Sequence, residues 1–495
     1  MQNYLASAVG KSQSHEGDPL EKPDSDAGNP RFRVWSLYHK SSAVLLNTLA
    51  SFAGSTATFA LVCALIIAWA VGGVFVNDTD IWQISMQDVS SIGCYLWDIT
   101  LLFAQQQDNQ ELSELLSHLQ ASGARQAKLM QLLQKAEALG KPVSHPYTAI
   151  KLEPDSHHSQ MDFESLPRKS WYDSLADKAS MVAGSPFSQA IYAAGIILWL
   201  AYGPRMGFND AWQLDVNTAT AVELMLMTTF LQNTKGRHRL YMHRCIRLIS
   251  LVDDETEARL DAAALENQII EYGSRNVDDL PCLLGCHAHS KASRVAYTCV
   301  NTYAKFMGSV GGISLSLLLL GLWLGLGKVM GYNNSNWWLI IGTYTGLAGF
   351  IDAFVLRNVM KRQSMHLLNH CDLLDISDAT VGSLLNLPSI QAPLCPKRGC
   401  CHRVSMKMGQ AAAHIATVFL AAAVVVGLLI TATAMAWTQT AQLLCNTPTM
   451  IIEGAMLLVL MMAHMSGHQY MRARLQTFLE RRLAIQSALD QGHVN

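Results

Sequence analysis

Residues 54–76, GSTATFALVCALIIAWAVGGVFV, and residues 83–104, QISMQDVSSIGCYLWDITLLFA, are two apolar stretches joined by a short polar loop. Each is long enough to cross about 30 Å of hydrocarbon, which takes about 20 helical residues. The second stretch is not uniformly apolar, because Asp98 stands deep inside it. A carboxylate near a bilayer centre costs roughly 2.5–3.5 kcal/mol on insertion scales, so it needs a partner or a water-filled path.

The hairpin recurs. Further apolar pairs lie at about 186–206 and 213–232, 309–331 and 337–357, and 410–434 and 444–464. The second member of each carries one acid: Glu223, Asp352 and Glu453. The sequence thus predicts an all-α integral membrane protein with about eight transmembrane helices, arranged as four two-helix repeats. Two crossings per unit give all units one orientation, so the repeats are parallel. Ala53-Gly54-Ser55, Ala183-Gly184-Ser185, Met307-Gly308-Ser309 and, more weakly, Met408-Gly409-Gln410 precede the first helix of each pair. Trp82, Trp212 and Trp337 open the second helix in three units, where a tryptophan suits the membrane interface. The fourth unit departs, with Trp437 further upstream and Pro448 near the helix start.

Polar residues stand near the outer ends of the second helices: Asp88, Asn217, Asn446, and Gly342 or Thr343 in the third unit. Counting inward from them puts Asp98 and Asp352 at one depth. Glu223 and Glu453 fall about one helical turn away, on the same face. Cys94, Met227 and Met456 occupy the places between. Carboxylate mixed with thiol and thioether fits Fe²⁺, Zn²⁺, Mn²⁺ or Cu better than the oxygen-seeking Mg²⁺ or Ca²⁺. The candidate transport path is therefore Asp98, Glu223, Asp352, Glu453, Asp88, Asn217, Cys94, Met227 and Met456, with Asn446 guiding entry in the fourth unit. Beyond their polar inner ends the second helices read on as amphipathic helices, as at Leu112–Leu133 and Tyr241–Leu251.

Lys and Arg are scarce in the loops within pairs and abundant between pairs, which places both termini and the long loops in the cytoplasm. Asn77-Asp78-Thr79 and Asn333-Asn334-Ser335, acceptor sequons, fall in the loops expected outside. The resulting layout is a polar cytosolic tail at 1–40, a first hairpin with a cytosolic helix at 41–140 and a linker at 141–180. A second hairpin at 181–275, a Cys/His linker at 276–305 and a third hairpin at 306–385 follow. A second Cys/His linker at 386–407 leads to the fourth hairpin and C-terminal helix at 408–495.

In a chain of 495 residues, 50% hydrophobic residues and only 15% charged ones do not suit a soluble protein of this size. A net charge of -2 gives no basic face for nucleic acid. The polar start does not resemble a cleavable signal peptide. The 11 cysteines, several of them inside apolar segments, do not read as a disulfide framework. Cys282, Cys286, His287 and His289 form one loop cluster, and Cys400, Cys401 and His402, with Cys395 just before them, form another. Their spacing suits a regulatory metal site or a transit point, though palmitoylation suits Cys400 and Cys401 as well.

The run Trp82-Gln83 through Asp98 and Gln105-Gln106 resembles the low-affinity iron permease family of fungi. So does Trp212-Gln213-Leu214 with Asn217-Thr218, Glu223 and Phe230-Leu231-Gln232-Asn233-Thr234. The resemblance implies multi-pass residence in the plasma membrane and low-affinity uptake of Fe²⁺, with poor discrimination against Zn²⁺, Cu and other transition metals. Fe²⁺ is then a substrate, no cofactor is required, the partners are metal ions and the lipid bilayer, and a homo-oligomer stays open. No ATP-binding run and no His-rich di-iron box argue for an enzyme. A metal-sensing receptor that uses the cytosolic Cys/His loops is the alternative.

Overall fold

The computed structural model describes residues 44, 46–76, 79–138, 170–266, 291–332, 335–388, 390 and 400–490. Residues 1–47 and 48–495 form separate units. In the first, only 44, 46 and 47 are described, and they are helical. The second is all-α, with no strand among its described residues. The acceptor residues Asn77 and Asn333, Cys395 and the Cys282–His289 cluster lie outside the described residues.

The helices are α1 (Thr56–Gly72), α2 (Thr79–Ala138), α3 (Trp171–Ala183), α4 (Pro186–Met206), α5 (Asp210–Glu266) and α6 (Lys291–Met307). They continue with α7 (Val310–Met330), α8 (Ser335–Leu384), α9 (Cys400–Ala412), α10 (Ile415–Ala434) and α11 (Gln439–Asp490). The second helix of each hairpin is thus one continuous rod of 50 to 60 residues, as the amphipathic continuations predict. Pro448 sits inside α11 without breaking it.

Among the described residues, five helices are long and apolar enough to cross a membrane: α1, α7, α10 and the apolar parts of α8 and α11. The pair α3 and α4, bent by 46°, makes a sixth if it counts as one span. The eight crossings expected from the sequence are therefore not all matched by composition, since α2 and α5 fail the same test. The reason is physical. The polar residues of these rods, among them Gln87, Asp88, Ser90 and Asp98 on α2 and Asn217 and Thr220 on α5, are buried against protein. Mean hydropathy counts them against a span although they never meet lipid.

The four rods form a closed ring in the order α2, α5, α11, α8 and back to α2. The shorter apolar helices pack outside it: α1 on α5, α4 on α11, α10 on α8 and α11, and α7 on α8 and α2. Their outer faces are bare apolar surface, with Leu65 and Ile67 on α1, Leu198 on α4, Leu318 on α7 and Ile430 on α10 all exposed. Such a band suits contact with lipid.

One local pattern recurs four times. Each short apolar helix starts at a residue whose side chain accepts a backbone N–H: Ser55 from Thr58, Ser185 from Ser188, Ser309 from Gly311 and His414 from Ala416. These caps satisfy amides that would otherwise be unpaired at a helix start. In the fourth unit the helix break is thus at Ala413-His414, four residues beyond the Gly409 that the sequence reading chose. Gly409 lies within α9. The tryptophans also pair across each hairpin: Trp69 stacks on Trp82, Trp199 on Trp212 and Trp323 on Trp337. Each first-named indole N–H donates to the backbone carbonyl of its partner. The neighbouring Trp338 instead donates to Tyr332.

These repeats fix a common register. Ile84, Leu214, Leu339 and Leu443 meet in one apolar collar. Asn233 on α5 donates to the Gly54 carbonyl and Asn358 on α8 to the Ala413 carbonyl, so 233 and 358 are equivalent as well. Beyond the membrane-length part the rods continue as a four-helix bundle with its own apolar cores. That bundle buries Arg482 between Asp253 at 3.2 Å and Asp378 at 2.8 Å.

Candidate functional site: a polar lining inside the four-rod ring

Just below the apolar collar, Gln87, Asn217, Gly342 and Asn446 share one register. The Thr220, Thr345 and Thr449 hydroxyls, each donating to the carbonyl three residues before it, mark the same step on α5, α8 and α11. Gln87, Asp88, Asn217 and Asn446 are all buried, and no side-chain N or O atom of these four has a hydrogen-bond partner. Three of them converge over Gly342. A Cβ there would stand 2.9 Å from Asp88 Oδ1, 3.6 Å from Asn446 Nδ2 and 3.7 Å from Gln87 Nε2. Buried polar groups are ordinarily satisfied, and each that is not carries a penalty of about 1–3 kcal/mol. A ring of such groups is a lining that polar cargo would satisfy.

One to two turns further along lie Glu223 and Glu453. Both are held against glycines of a neighbouring rod. A Cβ at Gly349 of α8 would stand 2.8 Å from Glu453 Oε1, and one at Gly454 of α11 would stand 2.5 Å from Glu223 Oε2. Tyr192 of α4 crosses beside Gly454 and donates to the Ile451 carbonyl at 2.8 Å. Neither Glu223 oxygen has a hydrogen-bond partner.

Asp98 and Asp352 come about one turn later, on the adjacent rods α2 and α8. Tyr303 of α6 donates to Asp352 Oδ1 at 2.8 Å, while Asp352 Oδ2 has no hydrogen-bond partner. Glu453 is within electrostatic reach of Asp98, Asp352 and Glu223, and Asp98 of Asp352. Like charges buried this near one another repel. The cluster therefore favours a bound cation.

The sequence reading paired Asp98 with Asp352 and Glu223 with Glu453, and both pairs sit on neighbouring rods. The shared register sharpens the count: Asp98 aligns with Ala353, Asp352 with Trp97, Glu223 with Gly93 and Glu453 with Cys94. Cys94 is buried at the acids, within reach of Glu453, Asp98 and Glu223. Met456 is part of the apolar core and Met227 packs against it. The side chains of Cys400, Cys401 and His402, in the first turn of α9, are outside what is described. Gln87, Gly342 in its cradle role, Tyr303 and Tyr192 are lining residues that the sequence reading missed. The spacing from Trp82 to Gln87 equals that from Trp212 to Asn217, and would have picked out Gln87 instead of Asp88. Among the described residues, no three His, Cys, Asp or Glu side chains are arranged to hold a metal ion as they stand.

Comparison with known proteins bears on what this lining handles. A family model described as low affinity iron permease matches residues 172–274 and 401–488. The low-affinity iron/zinc ion transport protein fet4 of Schizosaccharomyces pombe is 34% identical over 447 residues, covering 89% of this chain and 72% of that one. The chain belongs to the low affinity iron permease family. A low-affinity Fe(2+) transport protein of Saccharomyces cerevisiae is 30% identical over 475 residues, 90% of this chain and 83% of that protein. No solved structure matches. The two segments matched by the iron permease model hold the second and fourth hairpins. Their rods, α5 and α11, are neighbours in the ring and carry Glu223 and Glu453.

Proposed function

We propose that this iron permease is a plasma-membrane transporter for low-affinity uptake of Fe²⁺ and other divalent transition metals, and not an enzyme. The ion enters at the tryptophan end and passes along the buried carboxylates. The hairpins serve as four parallel repeats with eight crossings, both termini and the distal bundle facing the cytoplasm. One observation carries this reading: carboxylate and amide oxygens line the inside of a closed ring with no hydrogen-bond partner. Transport names borne by its relatives agree with it. Zn²⁺, named for the S. pombe relative, and Cu and Mn²⁺ suit the same mixed donor set. An inside-negative potential favours entry by ~2.3 kcal/mol per charge per 100 mV, so no energy-coupling domain is needed.

The test is radiolabelled Fe²⁺ uptake by cells carrying Glu223→Gln or Asp352→Asn at matched surface expression. Uptake is expected to fall to background in both. Wild-type rates in both would refute the carboxylate pathway.

A further inference from the structure

The ring's axis is closed at the bundle end. A dry core ends near Met360, Leu460 and Met465, and a second begins at Leu116, Met242, Ile246, Cys371 and Leu475. Between them lies a belt of polar residues. An ion that has passed the acids cannot follow the axis into the bundle, so it leaves sideways through a seam between two rods.

The seams differ in chemistry. Between α2 and α5, Arg239 already pairs with Asp108 at 2.9 Å and with Glu111 at 3.1 Å. Between α2 and α8, Gln105 donates to Gln363 at 2.7 Å. Arg474 of α11, further into the bundle, holds Asp372 and Asp375 of α8. Imidazoles stand at the two α2 seams too, His243 beside Glu111 at 3.3 Å and His370 beside Gln120 at 3.1 Å, but each faces a residue of another type. In the α5–α11 seam imidazoles of both rods meet: His238 on α5 with His464 and His468 on α11. His464 shares the register of Gln105, Lys235 and Met360. It also lies within electrostatic reach of Lys235 and His238. It therefore lies at the depth of the polar belt between the two cores. His238 Nδ1 is 3.0 Å from His464 Nε2, and His238 Nε2 is 2.9 Å from Asp177 Oδ1 on α3, outside the ring. The His468 ring stacks on His238 with centroids 3.5 Å apart.

We propose that His238 and His464, with His468 beside them and Asp177 behind, form a transition-metal site in the α5–α11 seam, through which the ion leaves the ring. The proposal rests on the pathway above for its direction, not for its binding chemistry. Neutral imidazole nitrogen is a ligand for Fe²⁺, Zn²⁺ and Co²⁺. A proton on His238 Nε2, donated to Asp177, leaves Nδ1 as the acceptor facing His464. A carboxylate behind a histidine fixes tautomer and orientation at metal sites in this way. A tetrahedral ion with bonds of about 2.0–2.1 Å sets its ligands about 3.3 Å apart, so the pair opens by about 0.3 Å as the metal takes the place of the hydrogen between them, and neutral His464 carries its proton on Nδ1 instead. His468 must turn to complete the set, which lowers affinity and suits a point of release.

The experiment titrates Co²⁺ into the purified full-length protein in detergent and follows its visible ligand-field bands. The wild type is expected to show a band that His238→Gln and His464→Gln remove. Asp177→Asn should weaken the same binding by about 10–100-fold, the usual effect of losing an outer-shell partner. A histidine-independent spectrum, or no band at all, overturns the proposal. If either histidine variant fails to fold, Asp177→Asn decides alone, and wild-type affinity in it overturns the proposal. Glu223→Gln separates the two readings. Lost uptake with an unchanged cobalt band supports both, and unchanged uptake with the band present removes the pathway but keeps the site. A band lost in Glu223→Gln but kept in the histidine variants overturns the site alone.

Discussion

Gly349→Ala adds one methyl group and asks whether the place taken by the Glu453 carboxylate matters. The new Cβ would stand 2.8 Å from Oε1 and 3.0 Å from Oε2, where ordinary contact begins at 3.4 Å. The carboxylate must retreat by about 0.5 Å. A misplacement of 1 Å can cost about 10²-fold in a rate that depends on positioned groups, so half of that predicts a loss near tenfold, about 1.4 kcal/mol. Helix propensity runs the other way, since alanine is favoured over glycine by about 1 kcal/mol within a helix. The variant should therefore be at least as abundant and as heat-stable as the parent while taking up Fe²⁺ about tenfold more slowly. Gly427→Ala is the control, because a Cβ there meets nothing within 4 Å. It should gain the same helix stability and keep wild-type uptake. Initial uptake rates, normalised to surface protein, decide the matter. Full uptake by Gly349→Ala would show that the Glu453 position is irrelevant to transport.

Asn217→Ala and Asn446→Ala remove unsatisfied amides from the lining, so the protein should stay folded while half-saturation for Fe²⁺ uptake rises severalfold. Asp98→Asn and Asp352→Asn act at one level, so uptake in the double variant should be little lower than in the worse single one, whereas independent sites would multiply. Arg482→Met leaves Asp253 and Asp378 buried without their shared guanidinium, a loss of about 3–5 kcal/mol, read as ~10²-fold or faster amide exchange around residue 253. Burial, opposed by Arg482 and aided by Asp378, pushes Asp253 up to about 7. An acid raised in the folded state stabilises the bundle least when ionised. Protection around residue 253 should thus fall as pH rises from about 4 to 7, by up to about 4 kcal/mol. A protection factor that is flat over that range would refute the assignment.

The hairpins, the acids and the long amphipathic continuations are legible in sequence because each rests on local periodicity and hydropathy. What is not legible depends on neighbours. Nothing local says that Gly349 faces Glu453, or that Tyr303 reaches Asp352 and Tyr192 reaches Ile451 from other helices. Likewise, the likeness of units one and three does not say whether they sit side by side or face to face. The fourth unit misleads because its helix is capped by His414, a rare capping residue, while Gly409 imitates the glycine of the other three. The α5–α11 seam escaped notice because His238 and His464 are 226 residues apart.

The register also bears on whether one ion meets all four acids. Asp98 and Asp352 stand one residue apart in it, as do Glu223 and Glu453, and the pairs are separated by about four residues. Four residues of helix rise about 6 Å. The glutamate carboxylates lie against Gly454 and Gly349 of neighbouring rods, so the stagger is carried by the backbone register. Bonds near 2.2 Å cannot join oxygens that far apart. On the proposed pathway the ion is therefore handed between two stations of two carboxylates each. Two acids are too few to replace a full hydration shell. Each station then binds weakly, and the second carboxylate pair draws the ion forward as the first lets go. Low affinity follows from the stagger of the acids, not from any shortage of them.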